Sequence, residues 1–164
     1  MEEKTERSLC FMNLTVKERE LLSDLRTQEK LCVEKYGKYE AQACDPALRA
    51  LFSSVKSAEE GHLTTVERVL AGENVTAKPA PSAESQKLTV AQSTCTEAEK
   101  RTDAYLCQDA IAMEKHVSAL YDTTVFESVQ PALRDVLGAI QKEEQNHGQQ
   151  FYEYLAINNI TNIM

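Results

Sequence analysis

Residues 46–62 read PALRALFSSVKSAEEGH, and residues 131–147 read PALRDVLGAIQKEEQNH. Both stretches open on Pro-Ala-Leu-Arg and close on Glu-x-x-His, with Glu59 and His62 in one and Glu144 and His147 in the other. Between these ends, Leu48, Phe52 and Val55, like Leu133, Leu137 and Ile140, recur at alternating steps of four and three. That spacing is the apolar stripe of a helix, and proline suits the first helical position. Residues three apart share a helix face, so Glu59 with His62, and Glu144 with His147, continue the stripe instead of leaving it.

Working outward, a shift of 85 positions superposes the two halves without a gap. Asp24 falls on Asp109, Glu29 on Glu114, Lys30 on Lys115 and Tyr36 on Tyr121. Helical sequences align easily, but one register that matches the Pro-Ala-Leu-Arg block and every polar seam position indicates a duplicated helical hairpin. Leu22, Leu25, Glu29, Cys32, Tyr36, Tyr39 and Ala43 form the seam of a first helix, and Cys107, Ala110, Glu114, Val117 and Tyr121 that of a third. Thr15 with Glu18, and Thr94 with Glu97, have the spacing of capping boxes. Asp45 before Pro46 starts the second helix as N-cap. The expected organisation is a flexible arm over residues 1–14 and one domain over 15–164. That domain comprises hairpin 1 at about 15–71, a Pro-, Ser- and Thr-containing crossover at 72–93, and hairpin 2 at about 94–157.

An ionised carboxylate in an apolar seam is costly to desolvate unless it is paired or metal-bound. Four of them at one level repel one another, and two divalent cations remove that conflict. One Glu from each of two helices, with Glu-x-x-His from each of the other two, is the di-iron carboxylate pattern of ferritin-like bundles. The sequence therefore predicts an all-α, ferritin-like four-helix bundle with Glu29, Glu59, His62, Glu114, Glu144 and His147 as ligands to two metal ions. Mixed oxygen and imidazole ligation favours iron, with manganese or zinc as alternatives. By resemblance to di-iron bundles, Glu59 and Glu144 would bridge and Glu29 and Glu114 would be terminal. The competing reading is a bundle whose buried polar residues set register.

Tyr36 and Tyr121, two turns beyond the seam glutamates, are read mainly as amphipathic core residues, with a supporting role near the ligands as the alternative. Asp24 and Asp109 are either partners of the ligand histidines or solvated. Arg49 and Arg134 are read as helix-surface residues, His116 lies off the seam, and Cys32 is read as a small buried hydrophobe. A net charge of −8 argues against a nucleic-acid groove. No run of about 18 apolar residues is present, so no membrane span is expected. Five cysteines without a Cys-x-x-Cys pair exclude a rubredoxin-type iron site and suggest reduced thiols in a cytoplasmic protein.

The run Leu21-Leu22-Ser23-Asp24-Leu25, Gln28 to Cys32, Lys35-Tyr36, Tyr39, Gln42 to Pro46, Leu48 and Leu51-Phe52 resembles the ferritin-like spore coat proteins of the Coat F family. The resemblance is drawn over residues 14–71 and is weaker in the second half. It implies a small bundle associated with the spore coat and with other coat proteins. Location is not chemistry, and the activity must be argued from the site. One expected function is a di-iron oxidoreductase acting on dioxygen or peroxide. The other is a structural coat component in which metal stabilises the fold or is absent. A homodimer is compatible with either.

Overall fold

The computed structural model describes residues 12–82 and 84–160. Four helices account for the secondary structure of these residues: α1 (Val16–Gln42), α2 (Pro46–Leu70), α3 (Glu97–Glu127) and α4 (Pro131–Ile157). The expected all-α four-helix architecture is what the chain adopts. α1 packs along α2 and α3 along α4, giving two antiparallel hairpins, with lesser contact between α1 and α3 and between α2 and α4. Among the described residues, no helix is long and apolar enough to cross a membrane.

The helix ends follow local chemistry. Thr15 and Glu18 form a reciprocal capping box at α1. Asp45 accepts the Ala47 amide at α2, where Pro46 occupies the first turn. The expected box at Thr94 and Glu97 lies two residues further on, formed by Thr96 and Glu99 at the start of α3. Both pairs have the same spacing, so sequence alone could not separate them. Arg49 is exposed yet donates to the carbonyls of Ala43 (2.6 Å) and Cys44 (3.1 Å), covering carbonyls at the α1–α2 turn.

Two buried acids outside the seam join the hairpins. Asp103 on α3 accepts the amides of Cys44 (2.8 Å) and Asp45 (3.0 Å) in the α1–α2 turn. Glu18 on α1 accepts the Val129 amide (2.9 Å) in the α3–α4 turn. The 85-residue shift carries Glu18 onto Asp103 and Cys44 onto Val129, so these contacts are the pseudo-two-fold written in hydrogen bonds.

α2 and α3 run parallel, so the segment between them must return the length of the bundle. It does so beside α4, whose polar side chains hold it. Asn146 donates to the Pro81 carbonyl (2.8 Å) and Gln150 to that of Gln86 (2.8 Å), while Glu153 accepts the Leu88 amide (2.7 Å). Residues 12–14 do not extend as an arm. Met12 and Leu14 are buried, and the Met12 amide donates to the Gly72 carbonyl. The remainder of the expected arm, residues 1–11, lies outside the described residues.

The core is the predicted seam. Leu22, Leu25, Leu48, Phe52, Leu133, Leu137 and Phe151 are almost fully buried, each contributing about 1.5–3 kcal/mol of transfer free energy. Tyr36 stacks on Phe52 and Phe151, with ring centroids 6.1 and 5.9 Å away. This apolar shell encloses the polar middle of the bundle.

Candidate metal centre

All six seam residues meet at one level. Glu29 (α1), Glu59 and His62 (α2), Glu114 (α3), and Glu144 and His147 (α4) are each at most 4% exposed. Their ligand-type atoms form two groups, Glu29-Glu59-His62-Glu144 and Glu59-Glu114-Glu144-His147, within each of which all lie within 4.8 Å of one another. Glu59 and Glu144 belong to both. His62 Nδ1 is 2.9 Å from Glu144 Oε1 and 3.2 Å from Glu59 Oε2. His147 Nδ1 is 3.0 Å from Glu59 Oε1 and 3.6 Å from Glu114 Oε2. The two imidazoles stack at 5.8 Å.

His62 Nδ1 is hydrogen-bonded to Glu59 Oε2, but several atoms of the cluster have no such partner. Glu29 Oε2, Glu59 Oε1, Glu114 Oε2, both oxygens of Glu144 and His147 Nδ1 are fully buried without a hydrogen-bond partner. Leaving such atoms unpaired costs roughly 1–3 kcal/mol each, more for charged groups. The orphaned atoms are all of the kinds that ligate metal, and they belong to ligand groups clustered around two adjacent positions. The donor set therefore fits two cations, each with one imidazole and one carboxylate of its own and two carboxylates shared.

Electrostatics describe the cation-free cluster consistently. Burial, then the neighbouring Glu59 charge, pushes Glu29 well above the usual carboxylate range. Burial, then Glu59 and Glu114, does the same to Glu144. Burial opposes ionisation of Glu59 too, but the imidazoles of His147 and His62 outweigh it and hold that carboxyl low. Burial likewise works against the imidazolium of His62, yet Glu143, Glu144 and Glu59 raise it well above its ordinary value, and His147 is raised to about 9.

Three further residues complete the surroundings. The Tyr36 hydroxyl donates to Glu114 Oε1, and the Tyr121 hydroxyl donates to Glu29 Oε1. Spacing along one helix put each tyrosine about two turns from its own glutamate. What spacing could not show is that each reaches the glutamate of the other hairpin, because α1 and α3 run antiparallel. Glu143 is the residue that sequence reasoning missed. Its Oε2 lies 3.0 Å from His62 Nε2, the ring nitrogen turned away from the cluster. The signal was a mismatch in the repeat, where Glu143 answers to Ala58.

The other candidates lie elsewhere. Asp24 is exposed, and Asp109 accepts from Tyr39 and pairs with Lys35, so Asp109 serves the hairpin interface. His116 is exposed. Cys32 is buried, and burial followed by the nearby glutamates pushes its thiol far up, as befits an inert core residue.

Two cavities touch the centre. One of about 390 Å³, with mostly apolar walls, lies between α3 and α4 and is lined by Ile111, Gly148 and Tyr152 together with Glu114 and Glu144. The other, about 480 Å³ and more polar, lies between α2, α4 and the crossover, where His62 and Glu143 face Thr76 and Lys78.

A family model described as the Coat F domain matches residues 102–158, which are 57 of the 164 residues. The match supports a Coat F family protein. The resemblance read from sequence rests instead on residues 14–71, in the other hairpin. The match thus lies in the half where the sequence reading drew the resemblance as weaker, which corrects that placement; the 85-residue shift carries 17–73 onto the matched residues. No curated protein and no solved structure matched the chain.

Proposed function

We propose that this chain is a ferritin-like protein whose four carboxylates and two imidazoles bind two metal ions, iron foremost, at a centre reactive toward dioxygen or peroxide. The observation carrying the reading is the pair of buried ligand groups that share Glu59 and Glu144, in which one oxygen each of Glu29, Glu59 and Glu114 and both of Glu144 have no hydrogen-bond partner. Two adjacent iron ions held there would supply redox chemistry on an oxygen-containing substrate.

The protein's own part is positional. Tyr36 and Tyr121 fix one oxygen of Glu114 and of Glu29, leaving the second oxygen of each free to ligate. Glu143 orients His62 through the remote ring nitrogen, which turns Nδ1 toward the cluster. The α3–α4 cavity gives a small, weakly polar molecule a path to Glu114 and Glu144, while the Glu143 side offers a more polar approach.

The decisive experiment is elemental analysis of the purified protein beside the Glu59→Ala, Glu144→Ala double variant, with circular dichroism as a check on folding. About two iron or manganese ions per chain, as two adjacent sites require, lost in a folded variant, supports the centre. Oxygen or peroxide consumption by the ferrous-loaded protein then tests reactivity. No metal after reconstitution overturns the reading.

The Coat F match favours a second reading, a coat component in which metal is stabilising or absent. Val16, Phe126 and Val129 are well exposed at one end of the bundle, an apolar group that could serve contact with other coat proteins. On this reading, metal removal lowers the melting temperature and no oxidant is consumed.

A further inference from the structure

A second chemical group lies outside the carboxylate cluster, at the end of the bundle where α1 turns into α2. Cys44 directly precedes the N-cap Asp45 of α2, and Cys95 directly precedes the N-cap Thr96 of α3. Their sulfurs are 2.8 Å apart, with the Cys95 thiol donating to Cys44 Sγ. Glu99 brings a carboxylate oxygen within 4.8 Å of both sulfurs. Both cysteines are half-buried. The backbone on each side is anchored. Asp103 accepts the Cys44 amide (2.8 Å), Ser93 Oγ accepts the Cys95 amide (3.2 Å), and Asn158 accepts the Ser93 amide (2.8 Å). The two sulfurs are held together by fixed structure, although 51 residues separate them in sequence.

We infer that Cys44 and Cys95 are a reversible disulfide site, a thiol pair that is oxidised by hydroperoxides and reopened by dithiol reductants. The donor set decides between this and a soft-metal site built from the same atoms. Among the described residues only Glu99 joins the two sulfurs, which leaves three donors where a closed tetrahedral zinc site takes four. The sulfurs are in direct contact, as a pair that can bond must be.

With hydrogen peroxide, the Cys95 sulfur attacks one oxygen and the O–O bond breaks, leaving a sulfenic acid on Cys95 and one water. The Cys44 sulfur then forms the S–S bond and expels hydroxide, which becomes the second water with the proton that Cys44 passes through Glu99. Two thiols lose two electrons and two protons, and one peroxide becomes two waters. The new bond closes a ring over residues 44–95 that contains α2 and the crossover, so oxidation restrains the unfolded chain and raises thermal stability.

The test treats the full chain with one equivalent of hydrogen peroxide, followed by peptide mapping without reductant. The expected product is a single Cys44–Cys95 cross-link, reversed by dithiothreitol. The oxidised form should melt about 5–15 °C above the reduced form. Cys44→Ser and Cys95→Ser should each abolish both the cross-link and the shift while keeping the helical spectrum, and Cys10→Ser should keep both. Glu99→Gln should slow closure several-fold, and an unchanged rate removes Glu99 from the step. A cross-link that uses another cysteine, oxidation to sulfinic acid without a cross-link, or chelatable zinc lost in Cys44→Ser overturns the proposal.

Discussion

The two hairpins carry the same ligand frame in different surroundings. Glu29, Glu59 and His62 answer one for one to Glu114, Glu144 and His147, and the tyrosines cross-support in both directions. Around this frame the symmetry fails at particular residues. His62 has Glu143 behind its ring, where the repeat gives His147 only Ala58. Gly148 opens a cavity against Glu114, where the first hairpin has Leu63. Tyr36 stacks on Phe52 and Phe151, where the repeat puts Leu137 and Val66 in the corresponding places. The lesson is that duplication preserved what holds the cluster together while the periphery diverged. The two candidate metal positions, nominally equal, therefore differ in support and access.

The strongest way to break this comparison is to remove one imidazole at a time. On the proposed function, His62→Ala and His147→Ala should each fall from about two bound ions to about one, because each ion would have one imidazole of its own. Elemental analysis reads this directly, and loss of both ions from either variant would show one indivisible site. Next, Glu143→Ala should weaken metal binding roughly 10–100-fold on the His62 side alone, the usual cost of losing a partner that orients a ligand. Competition with a chelator measures it, and an unchanged affinity would make Glu143 a bystander.

Smaller effects test the shared frame. Tyr36→Phe and Tyr121→Phe each leave a buried carboxylate oxygen without its donor and should cost about 1–3 kcal/mol in urea unfolding of the metal-free protein. A large difference between them would place the asymmetry inside the frame itself. Glu18→Gln should cost about 1 kcal/mol near neutral pH, since Glu18 accepts amides from both Thr15 and Val129. Although burial opposes it, those bonds hold the Glu18 carboxyl below its ordinary value of 4.5. A depressed pKa stabilises the fold above the unfolded value and loses that contribution as pH falls through the folded one. The gap between wild type and variant should therefore be present at pH 7 and close as pH falls below 4.5 and through the lower folded value, as read from thermal unfolding. Smallest in stability is Gly148→Leu. A Cβ there meets the Glu114 Cβ at 3.6 Å, an ordinary contact. On the proposed function, the variant should keep its metal and hold its stability within about 0.5 kcal/mol, yet react more slowly with oxidant as the cavity fills.

Much of this was legible in the sequence because helices translate spacing into direction. Steps of three and four fix which residues face inward, and the 85-residue repeat fixes that two hairpins share one plan. Proline, aspartate and the threonine–glutamate pairs mark helix ends through local hydrogen bonding, with error where two equal signals lie two residues apart. The six polar seam residues were readable for the same reason, since a charge cannot sit in an apolar stripe without a partner.

Tertiary structure alone decided what depends on neighbours from other helices. It set Tyr36 on Glu114 and Tyr121 on Glu29, Glu143 behind His62, Glu18 and Asp103 under the opposite turns, and Cys44 against Cys95. None of these is a local relation. Each arises because antiparallel packing and a long crossover bring together positions far apart in the chain, and no periodicity along one helix records what the facing helix supplies.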